Sequence, residues 1–320
     1  MNAREIGRCM GGEARGNQAT VPGPSHSRHD RSLSVRVDPN APDGFVVHSF
    51  CGDDPIACRD HVRQMCGLPD FRGERRELTS QETQARQERR AKAECDEAAL
   101  AAYVKNKALE TWQDAAPLPG TVAERYLQIR CGSVPEDITG AGALRFHPRC
   151  VFKQADNTKV RLPALIGLFQ DMQTGEPVAI HRTALLPDGS GKDERTPGLG
   201  NPKKTLGPSA GAAIMLSPFE EITLGLGICE GIETGISIAQ FDWRPLWVVG
   251  SAGGIARFPP FSGLDCLTIF ADHDENGACQ TAATECRDHL SQHNIEVDAI
   301  MPRTKGNDWN DTIQAMKNAA

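Results

Sequence analysis

No cysteine in this chain stands three positions before another, although there are eleven, at 9, 51, 58, 66, 95, 131, 150, 229, 266, 279 and 286. Zinc ribbons and disulfide frameworks need closer or paired spacing, so an odd, scattered set reads as reduced, mostly structural thiols. No apolar run approaches the roughly 18 residues of a membrane span. The start, Met1-Asn2-Ala3-Arg4-Glu5, carries no signal-peptide-like apolar region, so a cytosolic protein with no membrane partner is expected. A Gly-x-x-x-x-Gly-Lys-Ser/Thr loop is absent, which excludes an intrinsic P-loop motor, and Gly225-Leu226-Gly227 lacks the third glycine of a dinucleotide fingerprint. Aromatics are scarce at 5%, and with 39% hydrophobic residues the composition suits a soluble protein with ordinary cores. A net charge of −7 argues against coating nucleic acid through bulk charge, so a polyanion would have to be met by a local basic groove.

What the chain does have is two acidic clusters, each placed where a short apolar run stops. Ile222-Thr223-Leu224 leads to Ile228-Cys229-Glu230-Gly231-Ile232-Glu233-Thr234, and Leu267-Thr268-Ile269-Phe270-Ala271 leads to Asp272-His273-Asp274-Glu275-Asn276-Gly277. Short apolar runs ending in Gly or Asp and feeding helical stretches read as buried parallel strands. Ligands of an open α/β sheet gather outside the carboxyl ends of such strands. Carboxylates brought together there repel one another unless a divalent cation neutralises them, which points to a hard-cation site for Mg²⁺ or Mn²⁺. Asp272-x-Asp274-x-Asn276-Gly277 also begins like an EF-hand loop. Its twelfth position is Ala283 instead of the required Glu, and a strand precedes it where an EF-hand needs a helix. Helix capping is the competing reading for Glu233 and Glu275.

At 320 residues the length suits about two domains, and composition divides the chain into four zones. Residues 1–70 are rich in Gly, Pro, His and Asp, with one alternating strand from Gly44 to Phe50 and a short helix started by Asp54-Pro55. Residues 71–116 are dense in both charge signs and carry a weak apolar stripe, which predicts a solvated linker helix. Residues 117–216 hold a helix at Gly120–Leu127 and strands at 144–146, 162–169 and 178–183, with Gln173-Thr174-Gly175-Glu176 as a hairpin turn. Residues 217–320 alternate strands (222–228, 246–249, 267–271, 297–300) with helices (233–240, 277–293), the order of a parallel sheet covered by helices.

Strand-Glu-Gly, a second strand near Gly250-Ser251-Ala252-Gly253-Gly254, then strand-Asp-x-Asp-x-x-Gly resembles the Toprim domain over roughly residues 218–315. That domain is shared by bacterial-type primases, type IA and II topoisomerases, overcoming-lysogenisation-defect nucleases and recombination-repair proteins. The resemblance implies an α/β fold: a Rossmann-like parallel sheet preceded by a small α+β basic subdomain and a small β-rich, zinc-ribbon-like module. It implies Glu230, Asp272 and Asp274 as catalytic residues and as metal ligands, with Glu230 also a general acid–base. The ending Lys305-Gly306-Asn307-Asp308-Trp309-Asn310-Asp311 resembles the tail of the primase-like branch from phages, plasmids and integrated elements. There Lys305 would face phosphate, and Asp308 or Asp311 would support the metal. Arg161, Arg182, Lys203 and Lys204 resemble the basic groups of the subdomain that guides template and nucleotides in primases, with Lys203-Lys204 expected in a Gly/Pro-rich loop.

The amino-terminal zone, from Pro22-Gly23-Pro24-Ser25-His26 to Val47-His48-Ser49-Phe50-Cys51-Gly52-Asp53, resembles a primase zinc-binding module. Where that family places cysteines, this chain has Val21, Ser49 and Asp53, leaving His26 from the ligand set. Since a tetrahedral site needs about four N or S donors, the expected module is metal-free. Recruitment of zinc by Cys51 and Cys58 with His26 and His48 is the alternative.

The function implied is a primase-type nucleotidyltransferase that makes short primers on single-stranded DNA from nucleoside triphosphates, using Mg²⁺ or Mn²⁺. The chain ends soon after the Toprim-like zone, so a helicase would have to act in trans. Two rival readings remain: a Toprim nuclease, and a non-catalytic DNA-binding replication accessory of a mobile element.

Overall fold

The computed structural model of the chain describes residues 1–38, 41, 43–68, 80–274 and 276–319. Glu275 and the first part of the expected linker helix, residues 71–79, lie outside them. The chain forms two compact units, Met1–Arg86 and Gln87–Ala320.

In the first unit, α1 (Ala3–Met10) is followed by strands β1 (Glu13–Arg15), β2 (Gln18–Val21), β3 (Leu33–Val37) and β4 (Phe45–Ser49), then α2 (Pro55–Met65). The helix at 3–10 was not anticipated, although its start is written in the sequence. The Asn2 side chain accepts from the Glu5 amide while the Glu5 carboxylate accepts from the Asn2 amide, a capping box. The strands form one antiparallel sheet in the order β1-β2-β3-β4. Ile6, Met10, Val21, Leu33, Val35, Phe45 and Val62 make its core. Asp54 caps α2 through the Ala57 amide, with Pro55 in the first turn, as the sequence predicts.

Helix α3 (Ser80–Gln113) is solvated as expected: every residue from Gln87 to Tyr103 is exposed. Among its described residues, buried surface is confined to the last turns, at Ala108 beside Trp112.

The second unit is built on one ten-stranded sheet. Its first part comprises β5 (Ala116–Pro117), α4 (Val122–Cys131), α5 (Glu136–Gly140), β6 (Leu144–Lys153), β7 (Lys159–Asp171), β8 (Pro177–Ala184), β9 (Lys203–Leu206) and β10 (Ala212–Met215). These strands pair antiparallel. Its second part follows as β11 (Gly225–Cys229), α6 (Ile232–Ala239), β12 (Leu246–Val248), α7 (Ala252–Ala256), β13 (Cys266–Phe270), α8 (Ala278–Ser291), β14 (Glu296–Ile300) and α9 (Trp309–Ala319). Strands β14-β13-β11-β12 are parallel, and β10 joins them to β7 by antiparallel pairing on both sides. Strand β9 corrects one expectation: Lys203 and Lys204 open a strand paired with β8, not a loop.

Both faces of the parallel portion are covered, which explains its near-continuous apolar strands. Cys229, Leu246, Val248 and Phe270 face α4, α6 and α9, while Leu226, Ile228, Trp247, Leu267 and Ile269 face α7 and α8. Trp247 is fully buried, and its indole N–H donates to the Ser217 carbonyl at 2.9 Å. The chain passes from β11 through α6 to β12 on one side, and from β13 through α8 to β14 on the other. The reversal opens between the carboxyl ends of β11 and β13. Among the described residues no helix is long and apolar enough to cross a membrane.

Candidate active site

Glu230 and Asp272 sit at that reversal, Glu230 immediately beyond β11 and Asp272 one residue beyond β13, after Ala271. The backbone holds both places. The Glu230 carbonyl accepts from the Gly250 amide at 3.0 Å, and the Ala271 amide donates to the Ile300 carbonyl at 3.0 Å. Gly250 has φ +80, and a Cβ there would lie 2.6 Å from the Phe169 ring, so the turn beside Glu230 requires glycine.

The potential donor atoms that lie together include one the sequence did not suggest. One ligand atom each from Glu230, Asp272 and Cys279 lie within 4.8 Å of one another. The Cys279 thiol donates to Glu230 Oε2 at 3.4 Å. Asp274 stands outside this trio, and its Oδ2 accepts from the Cys279 amide at 3.3 Å. Asp308 caps α9, accepting from the Asp311 amide at 2.7 Å, and its other oxygen lies 3.6 Å from Arg130. Arg130 also pairs with Asp311 at 2.9 Å.

Asp272 is the strained member. Its Oδ1 is buried without a hydrogen-bond partner. Burial, then the charges of Asp308, Glu230 and Asp274, push its carboxyl up to about 7. A buried, orphaned carboxylate oxygen amid like charges is what a divalent cation satisfies, so these residues fit one.

Glu233 has a different occupation. It is 5% exposed and accepts from the Tyr126 hydroxyl at 2.7 Å, from Lys203 at 2.9 Å and from Lys192 at 3.2 Å. Against the cost of burial, Lys203 and then Lys192 hold its carboxyl far below the usual range. Burial, helped by Lys203, drives His181 down to about 4, so this ring is neutral. Lys203, His181, Glu230 and Gly250 line one small cavity of about 60 Å³.

Strand geometry sorts the basic residues onto two faces. Successive strand residues point to opposite sides, so Lys203 and Lys204 cannot serve one site together. Lys203 faces Glu233, as does its cross-strand partner Thr183, and exposed Arg161 lies on the same side. Arg182 and Lys204, paired across β8 and β9, take the reverse face and donate to the β6 carbonyls of Val151 (2.7 Å) and Lys153 (3.0 Å). Lys305 is exposed, in a loop tied to the acidic segment where the Gly306 amide donates to the His273 carbonyl at 2.7 Å.

Sequence reasoning missed Cys279, Tyr126, Lys192 and His181. A single cysteine beside a helix start gives no signal, and Tyr126 lies 107 residues from its carboxylate partner.

In the first unit a polar cluster joins the segment between β2 and β3 to the turn after β4. His26 Nδ1 lies 2.5 Å from Asp30 and its Nε2 3.2 Å from Asp53 Oδ1, while Ser49 donates to Asp53 Oδ2 at 2.8 Å. Cys58 is buried in the core and His48 packs edge-on against Phe50. The hydrogen bond to Asp30, then Asp53, raises His26 above its ordinary 6.5. A raised histidine contributes stability fully present below that value and lost as pH rises through its folded pKa. The stability deficit of His26→Gln, read from thermal melts, is therefore expected to shrink as pH rises above the ordinary histidine value of 6.5. A deficit that is constant with pH would show that the ring's charge plays no part.

Comparison with known proteins identifies the class. Residues 225–319 match the family model of the Toprim domain, and residues 102–216 match a domain of unknown function (DUF7146). The chain therefore carries a Toprim domain, a class that generally binds divalent metals. Among solved structures, this chain is similar to a DNA primase domain from Pseudomonas aeruginosa, at 14% identity over 66% of this chain and 74% of that one, with a TM-score of 0.45. It is also similar to the zinc-binding and RNA polymerase domains of the Aquifex aeolicus primase, at 10% identity over 100% of this chain and 84% of that one, with a TM-score of 0.46. No curated protein matches.

Proposed function

We propose that this chain is a primase-type nucleotidyltransferase that makes short primers on single-stranded DNA from nucleoside triphosphates with Mg²⁺ or Mn²⁺. The observation that carries the reading is the meeting of Glu230 with Lys203 at one cavity, next to Asp272 on the adjoining strand end. A Toprim acidic centre alone serves cleavage and synthesis equally. Here the preceding antiparallel strands deliver a cation to it in the same sheet.

A divalent cation bound at Glu230 and Asp272 would neutralise charge on the reacting phosphate oxygens. The chain's own residues position the reactants. Lys203, held by Glu233, fixes a positive charge beside the cavity, and Arg161 on the same face and Lys305 in its loop meet backbone phosphate whatever the base sequence. Asp274 holds the first turn of α8 through the Cys279 amide. Arg130 holds Asp308 near the centre.

The test is primer synthesis on single-stranded DNA with labelled nucleotides, with and without Mg²⁺ or Mn²⁺, beside Asp272→Ala. Short, metal-dependent products that fall to background in the variant are expected. Intact template with no product would instead favour a DNA-binding accessory, and cleaved template a nuclease.

A further inference from the structure

We propose that Cys279 is a ligand of the acidic centre, and that with Glu230 and Asp272 it makes a mixed oxygen–sulfur site that holds Zn²⁺ or Co²⁺ more tightly than Mg²⁺. This rests on the reading of Glu230 and Asp272 as a cation site.

The geometry is that of ligands around one ion. Donors on a tetrahedral cation of zinc size sit roughly 3–4 Å apart. The Cys279 sulfur is 3.4 Å from Glu230 Oε2, and the three donor atoms lie within 4.8 Å of one another. The thiol is fully buried, so it is not a surface group that happens to lie near acids. Its position is fixed from both sides. Its amide donates to Asp274 at 3.3 Å, and it stands in the first turn of α8, whose inner face packs Ala282, Ala283, Cys286 and Leu290 into the core. Asp272 Oδ1, buried and unpartnered, supplies the independent sign that this pocket is completed by a cation.

Donor chemistry then ranks the cations. Mg²⁺ takes oxygen ligands in near-octahedral geometry and gains little from sulfur. Thiolate with carboxylate suits Zn²⁺ and Co²⁺, which accept four-coordinate sites. On binding, the S–H bond of Cys279 breaks, its proton leaves to solvent, and the sulfur lone pair forms the bond to the cation. The centre is thus open to Mg²⁺ through its oxygens and is closed to it when a thiophilic cation is present.

Titration of the full chain with Co²⁺, followed in the near-ultraviolet, tests this. A thiolate-to-cobalt charge-transfer band is expected in the parent and absent in Cys279→Ser. Co²⁺ and Zn²⁺ affinity should fall about tenfold or more in that variant, while Mg²⁺ affinity changes less than about threefold. A second measurement needs no variant: Zn²⁺ should displace Co²⁺ and abolish the charge-transfer band, while a large excess of Mg²⁺ leaves it in place. A band that persists in Cys279→Ser, or one that Mg²⁺ removes as readily as Zn²⁺, would overturn the assignment. Asp272→Asn separates the two levels. If it abolishes Co²⁺ binding while Cys279→Ser leaves affinity unchanged, only the sulfur ligand falls. If Asp272→Asn binds Co²⁺ like the parent, the acidic centre itself is not the cation site.

Discussion

Asp272→Asn is expected to make the protein more stable than the parent in EDTA at about pH 8, by about 1–2 kcal/mol after allowance for solvent screening. The reason is the carboxyl pushed up to about 7 by burial and by Asp308, Glu230 and Asp274. Between its ordinary value of 3.8 and about 7 the folded state binds more protons than the unfolded one, so stability falls as pH rises through that window. Asparagine removes the repelling charge and flattens the slope. Added Mg²⁺ should raise the thermal midpoint of the parent and leave the variant where it was. A variant less stable than the parent in EDTA, with the parent's full response to Mg²⁺, would remove both the repulsion and the cation site. Sites poised for charge often trade stability for function in this way.

Glu233→Gln is expected to be the most destabilising conservative change in the second unit, costing about 2–4 kcal/mol. The carboxylate is buried and serves three donors, Tyr126, Lys203 and Lys192. An amide keeps the size, offers one acceptor oxygen, and turns an N–H₂ group toward an ammonium. Two half-buried cations then lack their counter-charge. Removing one partner of a buried pair costs far more than the pair contributes. Denaturant unfolding measures it, and a cost under about 0.5 kcal/mol would place the carboxylate among ordinary surface pairs. Tyr126→Phe removes one of the three bonds and should cost about 1 kcal/mol. Because the Glu233 carboxyl is held below its ordinary value near 4.5, its contribution is present above that value and lost as pH falls below it. Acid should therefore weaken the parent more steeply than the variant.

Strands β11, β12 and β13 were legible because each is a short apolar run that stops at an acid or a glycine, and Glu230 and Asp272 were legible because they stand at two of those stops. Helix α8 and the β7–β8 hairpin were readable for similar reasons: a long Ala-rich stretch after Asn276-Gly277, and a turn at Thr174-Gly175 between alternating runs. What failed is instructive. Lys203-Lys204 looked like loop because Pro202 and Gly207 bracket it, and only cross-strand pairing with β8 makes it a strand. That pairing also splits the two lysines between faces, which no count of basic residues reveals. Strand β10 has four apolar residues and no alternation, so nothing marked it as the join between antiparallel and parallel strands. Glu233 read equally as a helix cap or a ligand, since its partners come from α4, β9 and the segment before it, all set by tertiary packing.

That join at β10 has a bearing on where this chain can be cut. The Toprim match begins at residue 225, yet the outer parallel strand β12 completes its ladder only by bonding to Ile214 and Met215, upstream of that boundary. A fragment trimmed to the recognisable domain would leave Leu246, Trp247 and Val248 as a bare apolar margin, an invitation to stick to its own copies. The heritable module and the smallest piece able to stay dissolved are therefore different lengths of polypeptide. Shuffling this domain between proteins would have to carry the strand before it, or find a substitute.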